Sequence, residues 1–419
     1  MSYMSAQNTA GPDLAPLGQL TRPSPGRPRV LWFHNEANHY FVAMLDALNA
    51  QGQAQYAGMF LCPPPAGSAL LAIPQNSPFI FLGSNPAHDV AGATLRPLRR
   101  DAKALVQAEK FDMAIVGGYD SAFKRWVLAH CRSRNIPTAL FADSNIKAEF
   151  DGTVKSFFRR AVKKVLLRKI IRQTDQILPA NSSGIAYWRY YGCPREKLSL
   201  ATYYSQIDTP IATAQATRAA ALQQVGLDPA KRLIFTGARL VQVKGLHLMI
   251  EAFGRLGLAD KGWVWAIAGG GPLDEALKQQ AGSLNGHGIH FLGVLNHSQT
   301  KTLAANADLF VLPSTYEPHG IVITEAMGAG TPVIASDACG AALDLVEPGK
   351  TGWLFANGSA DDLQRVLKAA TDYPAALVTM RPACRGKYEA WYGQYSPLVA
   401  VPKVVARLTA GIHKMPAAT

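Results

Sequence analysis

An α/β protein of parallel strand–loop–helix units is the fold class this sequence predicts, and three observations predict it. Short apolar runs, Val30-Leu31-Trp32-Phe33 and Leu233-Ile234-Phe235 among them, recur along the chain, and each stops at a glycine, a proline or a polar loop. Residues 309–337 read as strand, loop, helix, strand, the pattern of a parallel crossover unit. The length, 419 residues with 48% hydrophobic and 17% charged, leaves room for two or three domains with complete cores.

Composition narrows the classes. No apolar run approaches the ~18 residues of a spanning helix. Residues 1–28 lack the basic start and apolar core of a secretory signal and read as a disordered lead. The five cysteines, Cys62, Cys131, Cys193, Cys339 and Cys384, are scattered and form no Cys-x-x-Cys pair. Free thiols in a reduced, cytoplasmic protein are expected, and no zinc site. The net charge of +13, with a pI of about 9.5, asks for an acidic partner: nucleic acid, anionic lipid or a phosphorylated substrate.

In chain order, the strand at Val30 ends in the polar loop His34-Asn35-Glu36-Ala37-Asn38-His39 before a helix over 40–50. That loop either faces a ligand or serves as a turn, with Asn38 as helix cap. Over 51–110 only a strand at 79–82 and a helix over 102–109 can be placed. A strand at 113–116, ended by Gly117-Gly118-Tyr119-Asp120, a helix over 123–134 and a strand at 138–142 follow. The last runs into Asp143-Ser144-Asn145, which reads as a helix cap or as part of a site.

Residues 155–172, KSFFRRAVKKVLLRKIIR, hold Lys155, Arg159, Arg160, Lys163, Lys164, Arg168, Lys169 and Arg172 with no acid. Phe157, Phe158, Ala161, Val165, Leu166 and Ile170, with Val162, lie between them at steps of three and four. An amphipathic basic helix of this kind suits an anionic membrane surface, with DNA as a second possibility; the reading favoured here is that the stripe packs inward while the charged rim also touches lipid or a phosphorylated acceptor. Residues 175–182 read as strand into helix cap and 212–225 as a helix.

The strand 232–237 ends at Gly237, and Arg239 and Lys244 follow before a helix over 246–256. Two cations at a strand's carboxyl end are what a diphosphate requires, because they neutralise charge growing on a leaving group. Strands at 264–268 and 289–295, the latter with Gly293 at its turn, and a helix over 300–307 lead to the unit at 309. There Pro313 ends the strand, a loop spans Ser314 to His319, a helix over 320–327 closes at Gly328 and Gly330, and Val333-Ile334-Ala335 is the next strand. Glu317 stands in the loop and Glu325 on the helix; at ~1.5 Å rise per residue they fall roughly 10 Å apart, the reach of one extended ligand. The amides of Gly320, Ile321 and Val322 make an anion site between them. A helix over 360–370 and a helical tail over 397–410 complete the pattern.

EPHGIVITEAMGAGTPVIASD, with Pro313-Ser314 ahead of it, resembles the signature of the retaining GT-B nucleotide-sugar glycosyltransferases, glycosyltransferase family 4. Gly237-Ala238-Arg239-Leu240 with Lys244-Gly245, and Gly269-Gly270-Gly271-Pro272, are similar to further elements of that family. The resemblance is strong over 230–370 and architectural over 29–205. It implies two Rossmann-like domains facing across a cleft, with a C-terminal helix crossing back to the first. The implied division is 1–28 lead, 29–208 acceptor domain, 209–395 donor domain and 396–419 crossing helix and tail.

What the resemblance implies for function is hexosyl transfer, with retention, from a UDP- or GDP-sugar to a glycan or lipid-linked acceptor in polysaccharide or glycolipid biosynthesis. Arg239 and Lys244 would hold the diphosphate, Glu317 the sugar and Glu325 the ribose, with Gly237, Gly293 and Gly320–Val322 lining the donor. A covalent role for Glu317 is the alternative, and neither metal nor cofactor is required. His34, Asn35 and Asp143, with Lys155, Arg159, Arg160, Lys163 and Lys164, are candidates for the acceptor or membrane surface. Two departures stand out: no Gly-Gly pair near His34, and Asp143 where many relatives place a histidine. The expected location is cytoplasmic, with peripheral attachment to the inner face of the cytoplasmic membrane as an option. A non-catalytic protein acting through the basic helix is the competing reading. A nucleic-acid binder is not expected, since no aromatic-basic recognition module is present.

Overall fold

The computed structural model describes residues 26–36, 38–62, 79–82, 102–147, 154–205, 218–284 and 287–410. The expected lead up to residue 25, the boundary at 208–209, the start of the 212–225 helix and the tail beyond 410 lie outside the described residues.

The first sheet holds β1 (Arg29–Glu36), β2 (Gln55–Cys62), β3 (Phe79–Phe81), β4 (Met113–Gly117), β5 (Thr138–Ala142) and β6 (Gln176–Pro179), in the order β3-β2-β1-β4-β5-β6. Val30, Leu31, Trp32 and Phe33 are all buried, because a central parallel strand is covered on both faces; hence its unbroken apolar run. The helices are α1 (His39–Ala50), α2 (Ala102–Ala108), α3 (Ala122–Ser133), α4 (Val154–Gln173) and α5 (Ser182–Tyr190). Asn38 caps α1, accepting from Phe41 N at 2.9 Å, and Asn181 caps α5, accepting from Gly184 N at 2.9 Å. Strand β2 has no counterpart in the sequence reading, for Gly58 interrupts its apolar run. Packing demands that glycine: a Cβ there would meet the Phe60 ring at 2.9 Å.

The second sheet holds β7 (Arg232–Gly237), β8 (Trp263–Ala268), β9 (Ile289–Gly293), β10 (Leu309–Leu312), β11 (Val333–Ser336) and β12 (Gly352–Phe355), in the order β12-β11-β10-β7-β8-β9. Around it run α6 (Arg218–Gln224), α7 (Leu246–Arg255), α8 (Asp274–Ser283), α9 (His297–Asn306), α10 (Ile321–Gly328), α11 (Gly340–Leu345), α12 (Ala360–Asp372) and α13 (Pro374–Tyr395); a further helix, α14 (Pro397–Thr409), follows in the chain. From β7 the chain builds outward through β8 and β9, then returns to β7's other side as β10 and builds the opposite way. The order therefore reverses between β7 and β10, which pair in parallel at Leu309↔Ile234 and Phe310↔Phe235. The first sheet reverses likewise between β1 and β4. In open α/β sheets ligands bind outside the carboxyl ends of such a strand pair.

The chain forms two compact units, Met1–Leu140 with Arg172–Gln176 and Val401–Thr419, and Phe141–Ile171 with Ile177–Ala400. Within the first, Arg407 on α14 hydrogen-bonds Gln176. Cys131, Cys193, Cys339 and Cys384 are free, buried thiols.

Candidate functional site

The β7 and β10 strands leave the second sheet side by side, and their loops carry the charged residues. After Gly237 the chain passes Arg239 and a short 3₁₀ turn, Gln242–Lys244, into Gly245 and α7. Gly245 has φ +63°, and a Cβ there would stand 2.1 Å from Pro313 O. Only glycine lets the two loops meet so closely. Thr315 N donates to Val243 O at 2.8 Å, fixing the loop after β10 to the turn after β7. Across this join Lys244 Nζ forms an ion pair with Glu317, both side chains mostly buried at 16% and 14% exposure. Arg239 is exposed and makes no ion pair with any described residue.

Glu317's backbone is bound on a second side: its carbonyl accepts from Gly340 N at 3.1 Å and from Asn145 Nδ2 at 3.4 Å. Gly320, at φ +93°, turns the chain into α10, which has no side-chain cap at its start. The first-turn amides of Ile321 and Val322 face the same loop, and the helix dipole favours an anion there. Glu325, on α10, is only 5% exposed, and His297 Nε2 lies 3.6 Å from its Oε1. Gly293 O accepts from Gly269 N at 2.8 Å, so the end of β9 braces the glycine turn after β8.

Four further residues complete the arrangement, of which the sequence reading singled out only Asn145, as a helix cap or part of a site. His319 is 3% exposed; Asn181 Nδ2 lies 3.4 Å from its Nδ1 and Thr202 Oγ1 3.3 Å from its Nε2. Burial pushes the imidazole's pKa down to about 3, so it is neutral. Tyr203 packs its ring 5.0 Å from that of His319, and burial, with the Asp143 carboxylate adding to it, raises its phenol pKa well above the usual value. Asn145 is buried and spent on structure: its Nδ2 donates to Ala338 O at 2.8 Å, and Ser183 Oγ donates to its Oδ1 at 2.7 Å. His297 is the fourth. No local pattern marks His319, Tyr203 or His297, since the partners described here stand far off along the chain.

In the first unit, His34 and Asn35 end β1 at the point where that sheet's order reverses. His34 stacks on Phe41 with centroids 4.7 Å apart. Asn35 Nδ2 donates to Asp120 Oδ2 at 3.0 Å, and Asp120 pairs at 2.7 Å with Lys124, whose side chain is 1% exposed. Burial works to raise the Asp120 pKa, but Lys124 and Asn35 outweigh it and hold the carboxyl below its usual range.

The basic segment is helical as expected, over Val154–Gln173, and α4's stripe departs from the inward packing expected of it. Leu167, Ile170 and Ile171 are buried, whereas Val162 and Val165 are 73% and 70% exposed. The reason is the helix's phase: the buried face is centred one position beyond the stripe. Lys164, Arg168, Lys169 and Arg172 are exposed, while Lys163 Nζ sits 5.0 Å from the Tyr187 ring centroid. Arg160 is half-buried, and the side chains of Lys155 and Arg159 lie outside the described residues. Among the described residues no helix is long and apolar enough to cross a membrane.

Residues 217–382 match the family model described as Glycosyl transferases group 1, a span that includes Arg239, Lys244, Glu317 and Glu325. Over 157 residues the chain is 36% identical to glycogen synthase of Mycobacterium tuberculosis, a match spanning 36% of this chain and 37% of that protein. The chain spans less than half the length of these curated relatives that it matches. Sucrose-phosphate synthase from Thermosynechococcus elongatus superposes with a TM-score of 0.70 at 18% identity, over 92% of this chain and 99% of that one. The Anabaena protein HepE, solved in complex with UDP and glucose, gives 0.68 at 17% identity, over 92% and 100%. The two six-stranded parallel sheets are thus those of the GT-B fold.

Proposed function

We propose that this chain is a retaining glycosyltransferase that moves a hexose from a nucleotide-diphosphate sugar to a glycan or lipid-linked acceptor in polysaccharide or glycolipid synthesis. The observation that carries the reading is the Lys244–Glu317 pair, with the unpaired Arg239, at the strand pair where the second sheet reverses. The match over 217–382 and the UDP complex of a protein with the same fold support it.

In this reading the sugar's C1–O bond to the diphosphate breaks, and the electron pair leaves with the phosphate oxygen. Arg239, Lys244 and the amides at Ile321 and Val322 meet the charge that develops there. The acceptor hydroxyl attacks C1 from the leaving-group side and passes its proton to the departing phosphate. Glu317, tied to Lys244, accepts from the sugar's hydroxyls; the same tie blunts it as a nucleophile, which favours this route over a covalent one. Glu325 takes the ribose hydroxyls. With two cations holding the diphosphate, no metal is needed. The exposed valines and cations of α4 rest on an anionic membrane face on the cytoplasmic side.

The test is nucleotide release from UDP- and GDP-linked sugars by the full chain, with a chelator as a parallel arm. Wild type releases one of the two nucleotides with chelator present, and Arg239→Ala and Glu325→Ala each lower the rate by about a hundredfold. Saturable binding without release in the presence of lipid and glycan acceptors would instead favour a non-catalytic binding protein. Neither binding nor release sinks the donor site.

A further inference from the structure

Successive carbonyls of the loop that carries Glu317 are all held, and the middle one is held by a side chain. Gly340 N donates to Glu317 O at 3.1 Å and Ala341 N to His319 O at 2.7 Å. Both amides belong to the first turn of α11, whose N-cap residue Cys339 supplies no side-chain bond, so the loop itself satisfies the start of that helix. Between them, Pro318 O accepts from Asn181 Nδ2 at 2.8 Å. All of these residues fall within one compact unit.

Asn181 has no exposed surface, and its partners fix which way the amide faces. Gly184 N donates to Oδ1 at 2.9 Å, which makes Oδ1 the capping oxygen of α5. Nδ2 is thereby turned towards Pro318 O and, at 3.4 Å, His319 Nδ1. Gly340 makes the room, since a Cβ there would overlap both Pro318 O and Asn181 Nδ2. Its φ is outside the left-handed region, so space rather than backbone freedom calls for glycine.

We infer that Asn181, seated against Gly340, is a positioning residue for Glu317: it fixes the loop one residue further on, so that the carboxylate stands at Lys244 before a sugar arrives. The inference rests on the nucleotide-sugar reading and assigns that site a residue from outside the Glu317 and Lys244 loops. A carboxylate already in place meets the sugar's hydroxyls without reorganising, and a misplacement of about 1 Å can cost roughly a hundredfold in rate. Arg239 lies on the other loop and Glu325 a turn into α10. Freeing Pro318 O therefore harms the sugar's share of binding and spares the nucleotide's.

Asn181→Ser and Gly340→Ala in the full chain test this from opposite sides. Serine still caps α5 but lacks the amide that reaches Pro318 O, whereas alanine keeps every donor and pushes the same carbonyl away. Calorimetric titration with UDP, UDP-glucose, GDP and GDP-mannose is paired with nucleotide-release rates at saturating sugar nucleotide. Both variants bind the accepted bare nucleotide within about twofold of wild type, at unchanged stoichiometry. The affinity of its sugar nucleotide relative to the bare nucleotide falls roughly fivefold or more, and kcat about tenfold or more. Where turnover awaits an acceptor, the affinity ratio decides. A role in folding alone would instead leave fewer binding sites of unchanged affinity, and none where neither variant folds. That outcome overturns the inference alone, as does an Asn181→Ser protein with the wild-type ratio, or one whose bare nucleotide weakens as much as the sugar nucleotide. Failure of wild type to bind either nucleotide overturns the donor reading beneath it.

Discussion

His319 sits two residues after Glu317, and its cage also holds the loop, since Asn181 Nδ2 donates to the adjacent Pro318 O at 2.8 Å. With that amide also facing Nδ1, the ring proton stands on Nε2 and points to Thr202 Oγ1. Neutrality makes the cage a pH-dependent support. The unfolded histidine takes a proton below its ordinary value of about 6.5, whereas the folded one resists until about 3. The contribution is therefore complete above about pH 6.5 and drains away as pH falls towards 3, at roughly 1.4 kcal/mol per unit. We expect unfolding free energy to drop by about 2 kcal/mol from this group between pH 7.5 and 5, and His319→Gln to remove that share of the pH dependence. Urea melts of both proteins at the two pH values decide it; parallel slopes would refute the cage. The sequence shows His319 only as a letter in a loop, because Asn181 and Thr202 lie 138 and 117 positions away.

At the scale of elements, the strands that carry the Lys244–Glu317 loops are the plainest features of the sequence. Strands β7 and β10 are buried on both faces and so appear as unbroken apolar runs that end where the backbone must turn. Helix α8 escapes such a reading because it buries only Leu277 and Ala281. Helix α13 escapes it because Pro382 interrupts a stripe that nonetheless buries Leu377, Met380, Cys384, Tyr388 and Trp391. What the strands cannot announce is how their loops cross, and there one glycine decides. Gly245→Ala adds a Cβ where Pro313 O stands, on backbone that is already left-handed. Gly349, at φ +73° with nothing within 4 Å of its added Cβ, provides the comparison. Alanine at Gly349 costs about 1 kcal/mol of strain, and at Gly245 roughly 3 kcal/mol or more, because the loop pair must also move apart. Urea unfolding of both variants measures the difference, and equal costs would show that the crossing tolerates a side chain.

At the scale of the whole chain, the surplus of +13 charges must find acidic company, and the structure divides it by position. Arg239 and Lys244 lie at the second sheet's reversal, where the proposed function has a diphosphate use them. The cluster on α4 has no such ligand and instead surrounds two exposed valines. The sequence locates this helix correctly but not its phase, since Ala161, Val162, Val165 and Leu166 form a stripe as regular as the one that is buried. Phase depends on which neighbours cover the helix, and those lie elsewhere in the chain. Exposed apolar side chains ringed by cations are suited to the boundary of an anionic bilayer, where each lysine or arginine contributes about 1 kcal/mol. Replacing Lys164, Arg168 and Lys169 together by glutamine should then weaken binding to phosphatidylserine-containing vesicles by roughly a hundredfold. Val162→Ser with Val165→Ser should weaken it without altering its salt dependence, whereas the triple neutralisation flattens that dependence. Lys163→Gln should do less, because that ammonium lies over the Tyr187 ring. Vesicle co-sedimentation at low and physiological salt separates these effects. Wild-type chain that stays in the supernatant at both would leave α4 a solvated helix and return the acceptor to the glycan class.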